Sequence, residues 1–187
     1  MEKVLAAKHW QIFLMVFVLP FLCNIFFPSG NPFLVFKLAP LLIILFAGGY
    51  GLWIWAISIG LQKRVPSEVT LKVKKFKVFF IIPMVYMFFF SFIFAFPQHL
   101  DSTFENSPFL ILQSMAIILP LHLFSMFCMF YTLYFASKTF KTVELQRQVT
   151  FSDFAGEFFL FWFFPVGVWV IQPKINKMIG DNNQPLV

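Results

Sequence analysis

The sequence predicts an all-α membrane protein with four transmembrane helices and a C-terminal re-entrant or interfacial helical hairpin. Three observations carry that prediction. The 187 residues are 60% hydrophobic and 12% charged, with Phe at 31 positions, whereas a soluble domain carries about 25% charged residues. Four long apolar runs are continuous rather than alternating, which selects helices over a barrel. A fifth run, 158–171 (FFLFWFFPVGVWVI), is shorter and is interrupted by Pro165 and Gly167. A spanning helix takes roughly 20 apolar residues, and runs of about 10 to 14 suit re-entrant or interfacial segments.

The spans are expected at 10–27, 38–61, 78–96 and 109–135. The first has a basic start (Lys3, Lys8) and no Ala-x-Ala-like cleavage site after it, so it reads as a retained anchor rather than a signal peptide. Charge orients the spans. Segment 62–77 holds Lys63, Arg64, Lys72, Lys74, Lys75 and Lys77 against Glu68. The region after span four holds Lys138, Lys141 and Arg147 against Glu144, and the loop 97–108 holds Asp101 and Glu105 without Lys or Arg. Basic residues beside spans mark the cytoplasmic side, so both termini and the middle loop are placed inside.

The same count bears on the fifth run. If it turns back, thirteen of the fourteen basic residues lie inside and Lys37 outside; if it spans, the split is eleven to three. Length and charge both favour a hairpin dipping in from, or lying along, the cytoplasmic face. The alternative is one tilted span over 151–171. Thr150 with Asp153 offers a capped helix start, Pro165 and Gly167 the bend, and Gly180 a stop. The organisation is a four-helix unit, 1–150, and a C-terminal hairpin with its tail, 151–187. Similar ends to spans one and three (FFPSGNPFL and AFPQHLDSTFENSPFL) suggest a parallel internal duplication, against chance matching of Phe-rich sequence.

Polar residues inside spans are candidates for function. Asn24 and Gln113 sit at similar depth near the outer ends of spans one and four, where they bond either each other or backbone and water. His122, near the middle of span four, shares a helical face with Met115, Met126 and Met129. Imidazole and thioether suit Cu(I). Met is also common filler between helices, and no Cys-x-x-Cys motif joins in. The histidine therefore reads as a packed one, and no metal or cofactor is expected. Cys23 and Cys128 differ in depth by roughly 22 Å of helix rise, too far for a disulfide.

Asp153 and Glu157, four apart, are the only close pair of acids expected on one helical face. They are either an acid–base or metal pair or a solvated first turn favoured by the helix dipole. No Ser/His/Asp set, zinc helix motif or phosphate loop occurs, so no enzyme activity is expected. In span two, Ala47–Gly51 and Ala56–Gly60 are small-xxx-small pairs. They suit packing within the unit, or contact with a second copy or a partner membrane subunit. Trp53, Trp55, Trp162 and Trp169 suit interfacial positions. Val69, Leu71 and Val73 alternate with polar residues, as a short extended segment or as the start of span three. The basic loop, through Lys72, Lys74 and Lys75, draws anionic lipid headgroups at about 1 kcal/mol per basic residue; nucleic acid is not expected.

The stretch FPVGVWVIQPKIN, following Gly156-Glu157-Phe158-Phe159, resembles the end of small uncharacterised bacterial integral membrane proteins with four spans. The resemblance is confined to this C-terminal segment. It implies a protein of the bacterial cytoplasmic (inner) membrane and brings no active residues. It draws attention to Pro165, Gly167, Trp169, Gln172, Pro173 and Asn176, with Gln172-Pro173 ending the apolar run at the headgroups and Asn176 capping or binding there. The function expected is non-enzymatic: an oligomeric membrane subunit or sensor working through partners at the cytoplasmic face. The alternative is an ion channel, a pore-forming effector (for example of a bacterial defence system) or a small transporter lined by the broken hairpin.

Overall fold

A computed structural model of the chain describes residues 2–19, 21–22, 32–95 and 108–180. They form seven α-helices, with no strand among the described residues. Helices α1 (Glu2–Ala6) and α2 (His9–Phe13) lead into a π turn, Leu14–Val18. Helix α3 (Pro32–Gly60) ends in a 3-10 turn, Leu61–Arg64. Then follow α4 (Val73–Ala95), α5 (Pro108–Leu145), α6 (Phe151–Trp162) and α7 (Phe164–Gly180). Two stretches, Pro40–Arg64 and Leu112–Leu145, are long and apolar enough to cross a membrane.

The helices outrun the apolar segments that announce them. At 1.5 Å per residue, α3 is about 44 Å long and α5 about 57 Å, against a hydrocarbon core of about 30 Å. Lys, Glu and Leu are good helix formers, so α5 continues past its apolar run through Lys138, Lys141 and Glu144. Helix α4 begins at Val73, so the non-helical part of the alternating stretch ends at Lys72, and Lys74 and Lys75 are helical. Pro40, Pro83 and Pro120 all sit inside helices. Apolar helices accept this when neighbouring groups take up the freed carbonyls.

Close contacts set the arrangement. Helix α3 meets the N-terminal segment in antiparallel order: Leu5 covers Gly60, and Val16 Cγ2 lies 3.0 Å from where a Cβ would stand on Gly49. The opposite side of α3 meets α4, where Met84 Sδ lies 3.1 Å from the corresponding point on Gly51. Gly49, Gly51 and Gly60 of α3 are thus covered within the chain, whereas Gly48 is open. At the end of α5, Gln146 adopts positive φ (50°); its side-chain amide donates to the Val143 carbonyl at 2.7 Å and the Arg64 carbonyl at 3.2 Å. The Arg64 guanidinium in turn donates to the Met178 carbonyl. The N-terminal segment and the C-terminal ends of α3, α5 and α7 therefore meet at one end of the bundle, the end that carries most of the basic residues.

The core lies towards that end. Phe76 and Phe135 stack at 4.7 Å between α4 and α5. Trp53 packs against Phe161 and Phe164 at 5.2 and 5.4 Å. Trp53 is only 1% exposed, a departure from the interfacial placement expected of it, and the reason is a buried partner for its indole N–H. Trp162 and Trp169 are about half exposed. The outer half of α5 is the opposite case: Leu112, Ile117, Leu119 and Leu123 are 70, 67, 57 and 56% exposed, on several sides of the helix.

Candidate functional site

The C-terminal hairpin holds Pro165, Gly167, Trp169, Gln172 and Asn176, together with Asp153 and Glu157. Its first helix starts where the sequence suggested. The Thr150 backbone N–H and hydroxyl both donate to Asp153 Oδ2, at 2.7 and 2.9 Å. The break between α6 and α7 falls at Phe163 (φ −87°, ψ 65°), not at Pro165. Pro165 occupies the first turn of α7, where a missing N–H costs least. That missing N–H has a consequence one turn back. The Phe161 carbonyl has no backbone donor four residues on, and the Tyr50 hydroxyl donates to it instead at 2.6 Å. Gly167 sits where α7 crosses back over α6: a Cβ there would lie 1.7 Å from the Leu160 carbonyl oxygen. Only glycine permits that crossing.

Gln172 is the hub of the hairpin. It is fully buried and lies mid-helix, so Gln172-Pro173 does not end the element; α7 runs on to Gly180. The Trp53 indole N–H donates to Gln172 Oε1 at 2.8 Å. The Gln172 amide nitrogen faces the Leu5 carbonyl (2.8 Å), the Ala7 carbonyl (2.9 Å) and Asn176 Oδ1 (3.0 Å), so its two hydrogens are shared among three acceptors. Asn176 also donates to the Ala7 carbonyl at 3.2 Å rather than capping α7. The carbonyls they take are those left over where α1 ends, since the last turn of a helix has no intrahelical donors. Trp169 extends the contact, with its ring 4.6 Å from His9 and 5.8 Å from Phe13.

The acids part company. Asp153 pairs with Arg147 at 2.8 Å. The Arg147 guanidinium, with the Thr150 N–H and hydroxyl, pulls its carboxyl from the ordinary 3.8 down to about 2. Glu157 turns inward to Lys141 at 2.8 Å; Lys141 also meets Glu144 at 2.7 Å, and Lys174 reaches Glu144 at 3.1 Å and Glu157 at 3.9 Å. Two lysines and two glutamates thus form a closed, neutral ring tying α5, α6 and α7; Asp153 keeps the first-turn position expected of it, whereas Glu157 does not. Two outcomes follow. Arg147→Gln should raise the Asp153 titration midpoint, read by side-chain NMR in micelles, towards 3.8. The capping contribution is present above that value and fades as pH falls towards about 2, a depressed carboxylate being stabilising only while ionised. Glu157→Ala leaves two lysines facing each other across the ring. It should lower stability by on the order of 2 kcal/mol, less than a fully dry pair because the ring is partly wet, with a corresponding loss in denaturant midpoint.

The remaining flagged residues lie elsewhere. His122 is on the exposed part of α5, its Nδ1 2.9 Å from the Tyr86 hydroxyl; Met115 and Met126 are exposed beside it. Among the described residues, no cluster of three or more His, Cys, Asp or Glu has the grouping of a metal site. Gln113 is exposed near the start of α5. Asn24, expected opposite it, lies outside the described residues, as does Cys23. Cys128 is a buried free thiol. Lys72 and Lys75 line a cavity between α4 and α5 with Lys138; Lys74 does not line it. A second cavity, apolar and of about 190 Å³, lies among α3, α4, α5 and α6 beside Gly51, Met84 and Met129. Comparison with known proteins found no matching family model, no matching curated protein and no matching solved structure.

Sequence reasoning missed Trp53, Tyr50 and the Lys141–Glu144–Glu157–Lys174 ring. A signal existed for the first two. A Pro and a Gln inside an apolar run create one orphan carbonyl and one buried amide, and buried polar groups require partners. Trp and Tyr in span two are suitable donors.

Proposed function

We propose that the protein is a non-enzymatic, four-span membrane subunit or sensor with both termini cytoplasmic. Its C-terminal hairpin enters from the cytoplasmic face. It acts through self-association or a partner membrane subunit, with anionic headgroups held at its basic loop. The observation that carries this reading is the contrast along α5. The inner half is packed, with Phe135, Ala136 and Phe140 at 3, 0 and 0% exposure, whereas Leu112 to Leu123 is open. A helix apolar on all sides needs lipid or other helices around it. The concentration of basic residues at one end supports the orientation. So does the return of the hairpin, whose α7 end is bonded by Arg64 beside the end of α5. The polar groups of the hairpin are spent on Trp53, Leu5, Ala7 and Lys141, which favours a subunit over a pore lined by them.

Two measurements test it. A single cysteine at Asn182 should react with a membrane-impermeant maleimide only after permeabilisation; labelling in intact cells would refute the topology. Single cysteines at Leu119 and Leu121 should crosslink to a second copy or partner in membranes, whereas one at buried Ala136 should not. No crosslink at either outer position would remove the association from the proposal.

A further inference from the structure

The basic end of the bundle is not uniformly charged; it contains one built concavity. A cavity of about 240 Å³ is lined by Thr70, Leu71, Lys72, Lys75, Tyr131, Tyr134, Phe135 and Lys138. Three lysines and two tyrosines line it, and no acidic residue does. None of the three lysines has a carboxylate partner among the described residues, although Glu144 lies on α5 itself and Glu157 on α6. Two of the lysines are held by aromatic faces instead. Lys75 Nζ lies 5.0 Å from the Tyr131 ring centre and 5.2 Å from that of Phe79, and Lys138 Nζ lies 6.0 Å from that of Tyr134. A ring face fixes a cation without neutralising it.

The backbone adds to the imbalance. The first turn of α4 holds Lys74 and Lys75 and no acid, so its cations stand at the positive end of the helix dipole, where they are disfavoured. An anion in the cavity would meet Lys72, Lys75 and Lys138 together. Lysines supply point charges to phosphate oxygens, and tyrosine hydroxyls add directed donors. Beyond the cavity, Phe79 meets Phe127 at 6.1 Å, and Phe127, Phe124 and Val78 are exposed. A phosphate held at the lysines therefore has an exposed apolar track beside it.

We infer that Lys72, Lys75 and Lys138, with Tyr131 and Tyr134, form a discrete binding site for the phosphate headgroup of one anionic phospholipid, its acyl chains lying against Phe79 and Phe127. The inference rests on the membrane reading above and sharpens it, from a diffuse attraction of the loop to one site that includes Lys138 of α5 and excludes Lys74.

The test is native mass spectrometry of the full chain released from micelles containing equal phosphatidylglycerol and phosphatidylcholine. The native protein should retain one phosphatidylglycerol in preference. Lys72→Gln and Lys138→Gln should each lower that retention roughly fivefold. Lys74→Gln and Lys177→Gln, which change net charge equally outside the cavity, should leave it within about twofold, because a diffuse surface potential would respond to all four alike. Equal losses in all four variants, or no preference in the native protein, would overturn the site. Displacement of the lipid by millimolar inorganic phosphate would reassign the cavity to a soluble phosphate and overturn the lipid assignment. The membrane reading fails separately: it falls if the chain is found in the soluble fraction without detergent.

Discussion

Gly167→Ala is expected to detach the α6–α7 hairpin, lowering stability by at least about 3 kcal/mol, the upper end of ordinary overpacking. The added methyl would stand 1.7 Å from the Leu160 carbonyl oxygen and 2.5 Å from its carbon. The obstacle is backbone, so no rotamer change removes it. Helix α7 has to withdraw, which separates Phe164, Val168 and Ile171 from Trp53 and Phe161 and draws Gln172 off its partners. Gly156 provides an internal control. It lies in α6 with nothing within 4 Å of its added Cβ, so Gly156→Ala should stabilise by about 0.5–1 kcal/mol through backbone entropy alone. Thermal unfolding in detergent with limited proteolysis reads both. The hairpin of Gly167→Ala should become cleavable between α6 and α7 at temperatures where Gly156→Ala resists. Equal tolerance of the two substitutions would show that α7 does not cross α6 at this glycine.

The sequence exposed the elements of this fold far better than their joints. Long apolar runs are visible because the transfer cost of apolar surface is local and additive. For the same reason the long helices α3, α4 and α5 were anticipated but cut short: Lys138, Lys141 and Glu144 end the apolar signal without ending α5. The capped start at Thr150 and the need for a break near Pro165 are local backbone rules, and they were legible too. The position of the break was not. Pro165 fits a first turn as well as a bend, and the choice of Phe163 depends on how α7 packs on α3. The candidate site divides in the same way. Gly167 stood out as a break in an apolar run, and Gln172 and Asn176 through the resemblance of the C-terminal segment. Their partners Trp53, Leu5 and Ala7 are 119, 167 and 169 residues away, and no spacing rule reaches across such distances. Glu157 was misjudged because its lysines come from two other helices. Asp153 and Glu157 share a periodicity, but periodicity does not show which face is buried.

Gln172→Leu is expected to cost about 3 kcal/mol or more, since each buried group left unpaired costs about 1–3 kcal/mol. The orphaned groups are the Trp53 indole N–H and the carbonyls of Leu5 and Ala7. Leucine fills nearly the same space, so cavity formation contributes little and the loss reports bonding. A double-mutant cycle separates the contributions. Adding Trp53→Phe to Gln172→Leu removes the stranded indole N–H and should recover about 1 kcal/mol of the loss, because neither partner is then left wanting. The two carbonyls remain unpaired in both backgrounds, so their share of the loss should persist. Their release has a distinct readout: α1 and α2 are held to α7 through Gln172, Asn176 and Trp169, and Lys8 lies exposed between them. Tryptic cleavage at Lys8 should therefore accelerate in Gln172→Leu, and equally in the double variant even as global stability partly returns. If cleavage slowed in step with the recovered stability, Gln172 would be acting only through the core. If it stayed fast, one side chain couples the N-terminal segment to the C-terminal hairpin, and a contact made by either at that end of the bundle is felt by the other.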